Sequence, residues 1–188
     1  YLERMAVLLD KAEVQRLRTA VATLLCAIPS RTPADRLGRT LLALQADATV
    51  DSDAVVAAAE EALRLGDHGL AERLARGALN HGEHFGARLT LSSALAWQGR
   101  GREADSVLAA VDVATMSENQ LMAWALPRAA NQFWMLSEPE RATTFLQNIR
   151  GRVSEASSHS TLDALSATFS MNAGNVRRAV EVAATVLA

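Results

Sequence analysis

Three tryptophans and a small set of polar side chains are the residues whose types and spacing suit ligand binding. On a helix, Trp124, Pro127, Asn131 and Trp134 recur at i, i+3, i+7 and i+10 and therefore share one face. Trp97 falls on the equivalent face of the preceding predicted helix pair. Flat aromatic walls with amide and guanidinium groups suit a sugar or another polar ring. The predicted ligand-binding residues are Trp97, Trp124, Trp134, Ser93, Arg128, Asn131, Gln132, Glu60 and Arg64.

The three indole rings alone would give weak binding. If each ring lost roughly 50 Å² to a ligand, the three together would contribute about 4 kcal/mol, which corresponds to about millimolar affinity. The polar residues are therefore needed for useful affinity. The alternative is that the tryptophans pack between neighbouring repeats and touch no ligand, and the sequence leaves both open.

Two histidines, His81 and His84, lie three residues apart around Gly82 and Glu83. Their spacing suits a metal, but no further histidine or cysteine lies near them in sequence. A zinc or similar site needs three or four such ligands. A solvated turn is therefore the favoured interpretation, and no metal is predicted.

Two other motifs resemble catalytic sequences only superficially. The Gly99 to Arg102 stretch, GRGR, lacks the glycine-lysine-hydroxyl order that a Walker phosphate loop requires. Ser157, Ser158 and Ser160 surround His159, but no oxyanion loop or strand-turn-helix context accompanies them, so a serine-rich loop is predicted. No catalytic residue and no cofactor are predicted.

Composition favours a helical protein without a nucleic-acid-binding face. The 188 residues are 49% hydrophobic but only 4% aromatic, and the formal net charge is −2. The slight negative charge gives no electrostatic footprint for nucleic acid. The lone Cys26 excludes a disulfide framework and fits a reducing, cytoplasmic location. No apolar run is long enough to cross a bilayer, and no signal peptide is recognised. The chain begins without a methionine and ends inside a helical pattern, so we expect a piece of a longer protein.

The N-terminal part is predicted to form helices that stand apart from the rest. A short helix over residues 1–9 and a second over 12–28 are expected, with Pro29 ending the second. Thr32 is predicted to cap a third helix, with Pro33 at its first position and Asp35 at its third. The buried stripe of the second helix is predicted to contain Val14, Leu17, Val21, Leu24 and Leu25.

A polar stretch at residues 47–53 marks a boundary in the sequence. It separates a helical linker region, residues 1–46, from a repeat region, residues 51–188. How residues 1–46 dock is left open.

Regular helix pairs follow this boundary. The predicted pairs are 53–65 with 68–80, 84–98 with 102–113, 118–136 with 139–150, and 160–173 with 175–188. The second helices begin around Ala71, Ala104, Ala142 and Ala179, spaced by 33, 38 and 37 residues, and the residues five positions earlier are Gly66, Gly99, Ser137 and Gly174. Such phasing is typical of tetratricopeptide repeats.

Helix packing and capping follow from the same phasing. In the helix over 118–136 the predicted packing positions are Met122, Leu126, Ala130 and Phe133. Ser117 with Gln120, and Ser137 with Glu140, are predicted capping boxes, and Ser160 with Asp163 is a weaker one. The predicted fold is all-α, a tetratricopeptide-like α-solenoid of antiparallel helix pairs whose first helices line a concave groove.

Three stretches carry a resemblance to a known family. They are GDHGLAERLARGAL (66–79), ARLTLSSALAWQGRGREADSVLAA (87–110) and LPRAANQFWMLSEPERA (126–142). They resemble the tetratricopeptide-like region of large LuxR-type transcription regulators, the MalT-like members of the STAND class. The resemblance covers roughly residues 50–188, and residues 1–45 resemble the helical linker of that family.

The resemblance implies a sensor role. In that family an ATP-binding switch domain precedes the repeats, a helix-turn-helix module follows them, and the repeats bind an inducer, a maltooligosaccharide in the namesake. The inducer does not transfer, and the motifs of both other domains are absent from this sequence. The implied partners are a small effector, with a sugar as one candidate, other domains of the same chain, and a second copy of it.

We therefore predict a non-enzymatic, effector-sensing domain of a transcription regulator. The small molecule would lie in the groove between the tryptophans, and no direct contact with nucleic acid or membrane is expected. The alternative is a protein-protein interaction scaffold whose groove holds a peptide or helix of a partner.

Overall fold

The computed structural model describes residues 10–26, 28, 31–46 and 50–187 of the chain. Within these ranges every regular element is helical. The chain divides into two compact units, Tyr1–Thr90 and Leu91–Ala188. The helix predicted over residues 1–9, the end at Pro29 and part of the loop at 47–53 lie outside the described residues. The linker-repeat boundary predicted near residue 50 falls inside the first unit and stays a prediction.

The helices follow the predicted pairs closely. In chain order they are α1 (Lys11–Cys26), α2 (Pro33–Gln45), α3 (Ser52–Arg64), α4 (His68–Asn80), α5 (Phe85–Trp97), α6 (Gly101–Ala109), α7 (Glu118–Ala130), a π-helix (Asn131–Met135), α8 (Pro139–Arg150), α9 (Ala156–Asn172) and α10 (Val176–Leu187). The four predicted pairs are the hairpins α3–α4, α5–α6, α7–α8 and α9–α10.

Small side chains form the core of the first unit. Ala59, Ala62, Ala71 and Ala75 are fully buried between α3 and α4. Residues without bulky side chains allow two helix backbones to approach closely, and the two helices of this hairpin meet through alanine.

The buried stripe predicted for α1 is wrong at three of its five positions. Leu17, Val21 and Leu24 are exposed, whereas Ala22 is buried. The reason is that α1 packs against α2 through a neighbouring face. A periodic apolar pattern shows that a helix has such a face, but it does not show how much of that face another helix covers.

Each of the four hairpins turns through a residue in the left-handed region. Gly66, Gly99 and Gly174 have φ of 82°, 76° and 80°, and Ser137 occupies the same place with φ of 57°. After each glycine the next backbone N–H donates to the carbonyl five residues earlier, for example Asp67 N to Ala62 O at 2.9 Å. This is the Schellman arrangement that ends many helices. The glycine and serine phasing read from the sequence marks these turns.

The third hairpin contains one extra residue, which the helix accommodates as a π-helix. Leu136 N donates to Asn131 O, five residues back, and Glu138 N donates to Gln132 O, six residues back. The corresponding bond in the other hairpins spans five residues. A π-turn absorbs such an insertion without ending the helix.

The insertion moves the buried face of α7 by one residue. The buried positions include Leu121, Ala125, Ala129 and Gln132. The predicted packing positions were Met122, Leu126, Ala130 and Phe133, and of these only Met122 is buried. The difference follows from the π-helix at residues 131–135, where a regular α-helix would have kept the predicted face buried.

Of the three predicted capping boxes, Ser117 with Gln120 is present and exchanges the expected reciprocal hydrogen bonds. The predicted cap Thr32 also forms a capping box, with Asp35. The box at Ser137 is wrong, because Ser137 is the left-handed turn residue and Glu138 precedes α8.

The serine-rich segment before residue 161 is helical rather than a loop. Ser157, Ser158, His159 and Ser160 lie in the first turns of α9, so the weak capping box at Ser160 is also wrong. The hydroxyl of Ser160 donates to Ala156 O, four residues back. This bond keeps a serine compatible with a helix interior.

The left-handed serine gives a stability prediction. We expect Ser137→Gly to raise the free energy of unfolding by up to about 1 kcal/mol, because glycine adopts positive φ without a Cβ penalty. Gly174→Ser makes the reverse change where an added Cβ meets nothing within 4 Å, so it should lower stability by about 1 kcal/mol. Urea denaturation followed by circular dichroism measures both. Equal signs for the two variants would contradict the turn assignment.

Glu118, in the first turn of α7, ties that helix to the start of α9. Its carboxylate accepts hydrogen bonds from Ser154 N, Ser154 Oγ and Glu155 N, each at 2.9 Å. The hydrogen bond from the Ser158 side chain, followed by the one from the Ser154 backbone, lowers the pKa of Glu118 from 4.5 to about 2. Glu118 therefore stabilises the fold as long as it is ionised.

The lowered pKa predicts how stability depends on pH. The contribution of Glu118 should be complete above pH 4.5 and should be lost as the pH falls from 4.5 towards about 2. Glu118→Gln should lower the melting temperature at pH 7, and the difference from the original protein should shrink through that range. Glu140→Gln, at an exposed position in the first turn of α8, is the matched control. A pH-independent difference for Glu118→Gln would rule out this linkage.

Candidate functional site

A pocket of about 310 Å³ lies in the second unit between the C-terminal end of α5, α6, α7 and the π-helix. It brings together four of the predicted ligand-binding residues: Ser93, Trp97, Asn131 and Trp134. The rest of its lining is mainly apolar. The remaining lining residues are Ser92, Ala96, Ala104, Leu108, Pro127, Ala130 and Met135.

Two tryptophans form accessible walls of this pocket. Trp97 is 74% exposed and Trp134 is 42% exposed. Trp134 is held by edge-to-face contact with the buried Phe169 of α9, at 5.2 Å between ring centroids. Phe133 stacks on Phe169 at 4.2 Å and meets Trp134 edge to face at 5.4 Å. Such contacts fix the position of a ring whose outer face stays open to a partner.

Asn131 supplies the buried polar group of the pocket. It is 4% exposed, and its Nδ2 donates to Gly101 O at 2.8 Å. Its Oδ1 accepts no hydrogen bond from any described residue. An unsatisfied buried oxygen is unfavourable unless a water or a ligand supplies a donor.

Glycine is required where α6 begins against the π-helix. A Cβ on Gly101 would lie 2.6 Å from Met135 Cβ and 3.2 Å from Asn131 Oδ1. The absence of a side chain therefore allows the start of α6 to approach the residues that line the pocket. In the sequence Gly101 stands out only as part of the Gly99 to Arg102 stretch, and no pattern marks Met135.

Trp124, predicted to face the groove, lies in the core instead. It is 4% exposed, and its indole N–H donates to Leu108 O at 2.8 Å. Its ring also meets Phe145 edge to face at 5.4 Å. The one-residue shift caused by the π-helix explains this placement. A bound ligand could stack on Trp124 only after the helices moved apart.

Two further predicted ligand residues, Arg128 of α7 and Gln132 of the π-helix, contact α6. Arg128 Nε donates to Asp105 Oδ1 at 2.9 Å, and Gln132 Nε2 lies 3.4 Å from the same oxygen. The Arg128 guanidinium also lies 5.2 Å from the Trp124 ring centroid and 5.4 Å from that of Phe145. Neither residue lines the tryptophan pocket, and both brace the helices that surround it.

Asp105 is the acceptor at the centre of this brace. Burial alone would raise its pKa, but the hydrogen bond and charge of Arg128, with the charge of Arg141, outweigh burial and lower the pKa. Arg141 Nη2 lies 2.9 Å from Asp105 Oδ2, so α8 is tied to the same carboxylate. The carboxylate therefore stays ionised at neutral pH and connects three helices.

Glu60 and Arg64 belong to the first unit and do not line the tryptophan pocket. They line a separate cavity of about 390 Å³ formed by residues of α2 and α3. Arg64 forms an ion pair with Glu61. Their predicted role as ligand-orienting residues stays a prediction.

Of the two histidines weighed as metal ligands, His84 has a structural contact. His84 Nε2 lies 2.8 Å from Asp53 Oδ1. Among the described residues no group of three or more His, Cys, Asp or Glu side chains comes together as a metal site.

In the part of the chain that the structure describes, no helix is both long and apolar enough to cross a membrane. The expectations of a non-enzymatic role and of a cytoplasmic location stay predictions.

Comparison with known proteins identifies the fold and no family. A solved structure titled "MamA RS-1 ArsTM double mutant" matches with a TM-score of 0.63 at 16% sequence identity, covering 92% of each chain. The fold is tetratricopeptide-like. No family model matches the chain, and no curated protein matches it in sequence. The predicted fold class is therefore confirmed, and no comparison supports the resemblance to MalT-like regulators.

The two kinds of tryptophan environment give opposite predictions for stability. Trp124→Ala should lower the free energy of unfolding by about 3–5 kcal/mol, because it leaves a cavity and frees Leu108 O. Trp97→Ala should change it by no more than about 0.5 kcal/mol, because the ring is mostly exposed. Urea denaturation of both variants tests this contrast.

A milder substitution keeps the test informative where Trp124→Ala fails to fold. Trp124→Phe retains an aromatic ring but removes the N–H donor, so it should cost about 1–3 kcal/mol. If Trp97→Ala proved as destabilising as either Trp124 variant, the placement of the two rings would be wrong.

Proposed function

We propose that the second unit is a protein-interaction module whose tryptophan pocket holds an apolar side chain of a partner polypeptide. The observation that carries the proposal is the pocket itself, in which exposed Trp97 and Trp134 flank a space of about 310 Å³. Tetratricopeptide-like folds are typical of protein-interaction scaffolds, which supports this class of function.

The size and chemistry of the pocket suit one large side chain. Only Ser92, Ser93 and Asn131 bring polar side chains to it. Full burial of one Leu, Met or Phe side chain contributes about 1.5–3 kcal/mol, which alone is far too little for stable association. The exposed ring of Trp97 can supply further contact beside the pocket, and tryptophan is enriched among residues that dominate interface energetics.

A small effector is the second candidate, and one observation favours it. The unsatisfied Oδ1 of Asn131 would accept a hydrogen bond from a ligand donor, which a purely apolar side chain lacks. The pocket volume also lies at the lower end of small-molecule sites. This candidate keeps the predicted sensor role in a transcription regulator. The few polar side chains suit an apolar ring with one donor better than a sugar.

Peptide display on the 188-residue chain tests the first candidate. Selected peptides should share one apolar or aromatic residue, and its replacement by alanine should weaken binding at least about tenfold. Trp134→Ala and Trp97→Ala should weaken binding comparably. Met171→Ala removes an apolar residue that is 51% exposed outside the pocket and should leave binding unchanged.

The outcomes separate the two candidates. A tryptophan-fluorescence change that saturates with a small apolar donor compound, combined with no selected peptide, would replace the first candidate by the effector. Peptides that bind equally well to the Trp97, Trp134 and Met171 variants would place any interaction elsewhere and overturn the proposal.

A further inference from the structure

The fourth hairpin carries polar residues where the first two carry buried apolar ones. Equivalent positions lie eight and four residues before each left-handed glycine. These positions are Ala58 and Ala62 in α3, Leu91 and Leu95 in α5, and Ser166 and Ser170 in α9. The alanines and leucines are at most 2% exposed, whereas both serines are only partly buried. The fourth hairpin therefore lacks buried apolar side chains at these two positions.

A cavity of about 740 Å³ lies at these serines, between α8, α9 and α10 in the second unit. Asp163, three residues before Ser166, lines the same cavity, as do Gln147 and Arg150 of α8. Leu146, Leu162 and Val182 also line the cavity, so it offers apolar contact beside its polar and charged side chains.

The charges around the cavity are balanced. Arg150 forms an ion pair with Asp163. Arg178 and Glu181 stand three residues apart on α10 and both line the cavity, and neither forms an ion pair with a described residue. The two arginines and two carboxylates cancel in formal charge, so a multiply charged anion such as phosphate finds no net attraction.

Hydrogen-bonding capacity remains along the floor of the cavity. The Ser160 and Ser170 hydroxyls donate to carbonyls four residues back, which leaves their oxygen lone pairs as acceptors. His159 Nδ1 is buried and has no hydrogen-bond partner within the described part of the chain. A ligand in this cavity would need hydrogen-bond donors, and it would need a negative group for Arg178 and a positive group for Glu181.

We propose that this cavity binds a zwitterionic small molecule of the α-amino acid class. Its carboxylate pairs with Arg178, its ammonium group pairs with Glu181, and a small polar side chain reaches the serines of α9. Residues three apart on a helix are neighbours on its surface, so the two opposite charges lie at a spacing that one amino acid can bridge. The proposal concerns a different cavity from the tryptophan pocket and does not depend on the proposed function.

Calorimetric titration of the 188-residue chain with glycine, L-serine and L-glutamine tests the ligand class. At least one should bind saturably, and acetate, ethylammonium, N-acetylglycinamide, glycerol and inorganic phosphate should each bind at least about tenfold more weakly. Each comparison compound lacks one or both of the paired charges, and charge-assisted hydrogen bonds are the strong ones. Equal or tighter binding of any comparison compound, or no binding of any amino acid, would overturn the proposal.

Charge-removing variants test the site. Arg178→Gln and Glu181→Gln should each weaken amino acid binding at least about tenfold, with unchanged circular dichroism, because both side chains are exposed. Arg177→Gln removes the neighbouring charge of α10, which does not line the cavity, and should leave the affinity unchanged. An equal loss in Arg177→Gln, or no loss in the other two, would show that the amino acid binds elsewhere.

Discussion

The left-handed residue that ends the first helix of each hairpin is the constraint on which the rest depends. It fixes where the second helix begins, and the hydrogen bond from the next N–H closes the turn. Once the turn is fixed, the residues of the first helix that face its partner are fixed by counting back along regular helical turns. In the third hairpin the inserted residue is absorbed in the last turns of the helix, and the turn keeps a closing hydrogen bond that spans six residues.

The third hairpin shows the consequence. Its extra residue is taken up in the π-helix, so the buried face of α7 moves by one position and carries Trp124 into the core. The same shift places Asn131 against Gly101 and brings Trp134 beside Phe169. The tryptophan pocket therefore lies at the site of the insertion.

The sequence predicted the hairpins because their signals are local. Turn glycines, the alanines of the second helices and the Thr32 cap each depend on a few neighbouring residues, and the structure has all of them. The face of each tryptophan was harder to predict, because an insertion of one residue leaves the composition and the approximate periodicity intact. Only the serine at the glycine position and the longer spacing to Ala142 hinted at an irregular third hairpin.

The sequence also could not predict which apolar helix faces are buried by another helix. Leu17, Val21 and Leu24 have the spacing of a buried stripe, yet burial depends on which helix lies opposite, and α2 covers a neighbouring face. The serines at residues 157–160 caused a different error. Serine prefers caps and turns, which suggested a loop where the chain is helical. Back-bonding to carbonyls four residues earlier removes that preference inside α9.

The helix α9 contacts a residue of the tryptophan pocket and also lines the larger cavity. Phe169 is buried and holds Trp134, whereas Ser166 and Ser170, on an adjacent side of the same helix, line the polar cavity. Because side chains on one helix turn together, the packing of Phe169 also fixes which hydroxyls face the polar cavity. A preorganised site needs such anchoring, since side chains that must be ordered on binding reduce the affinity. The packing of Phe169 therefore holds Trp134 at the tryptophan pocket and also fixes the orientation of the serines of α9.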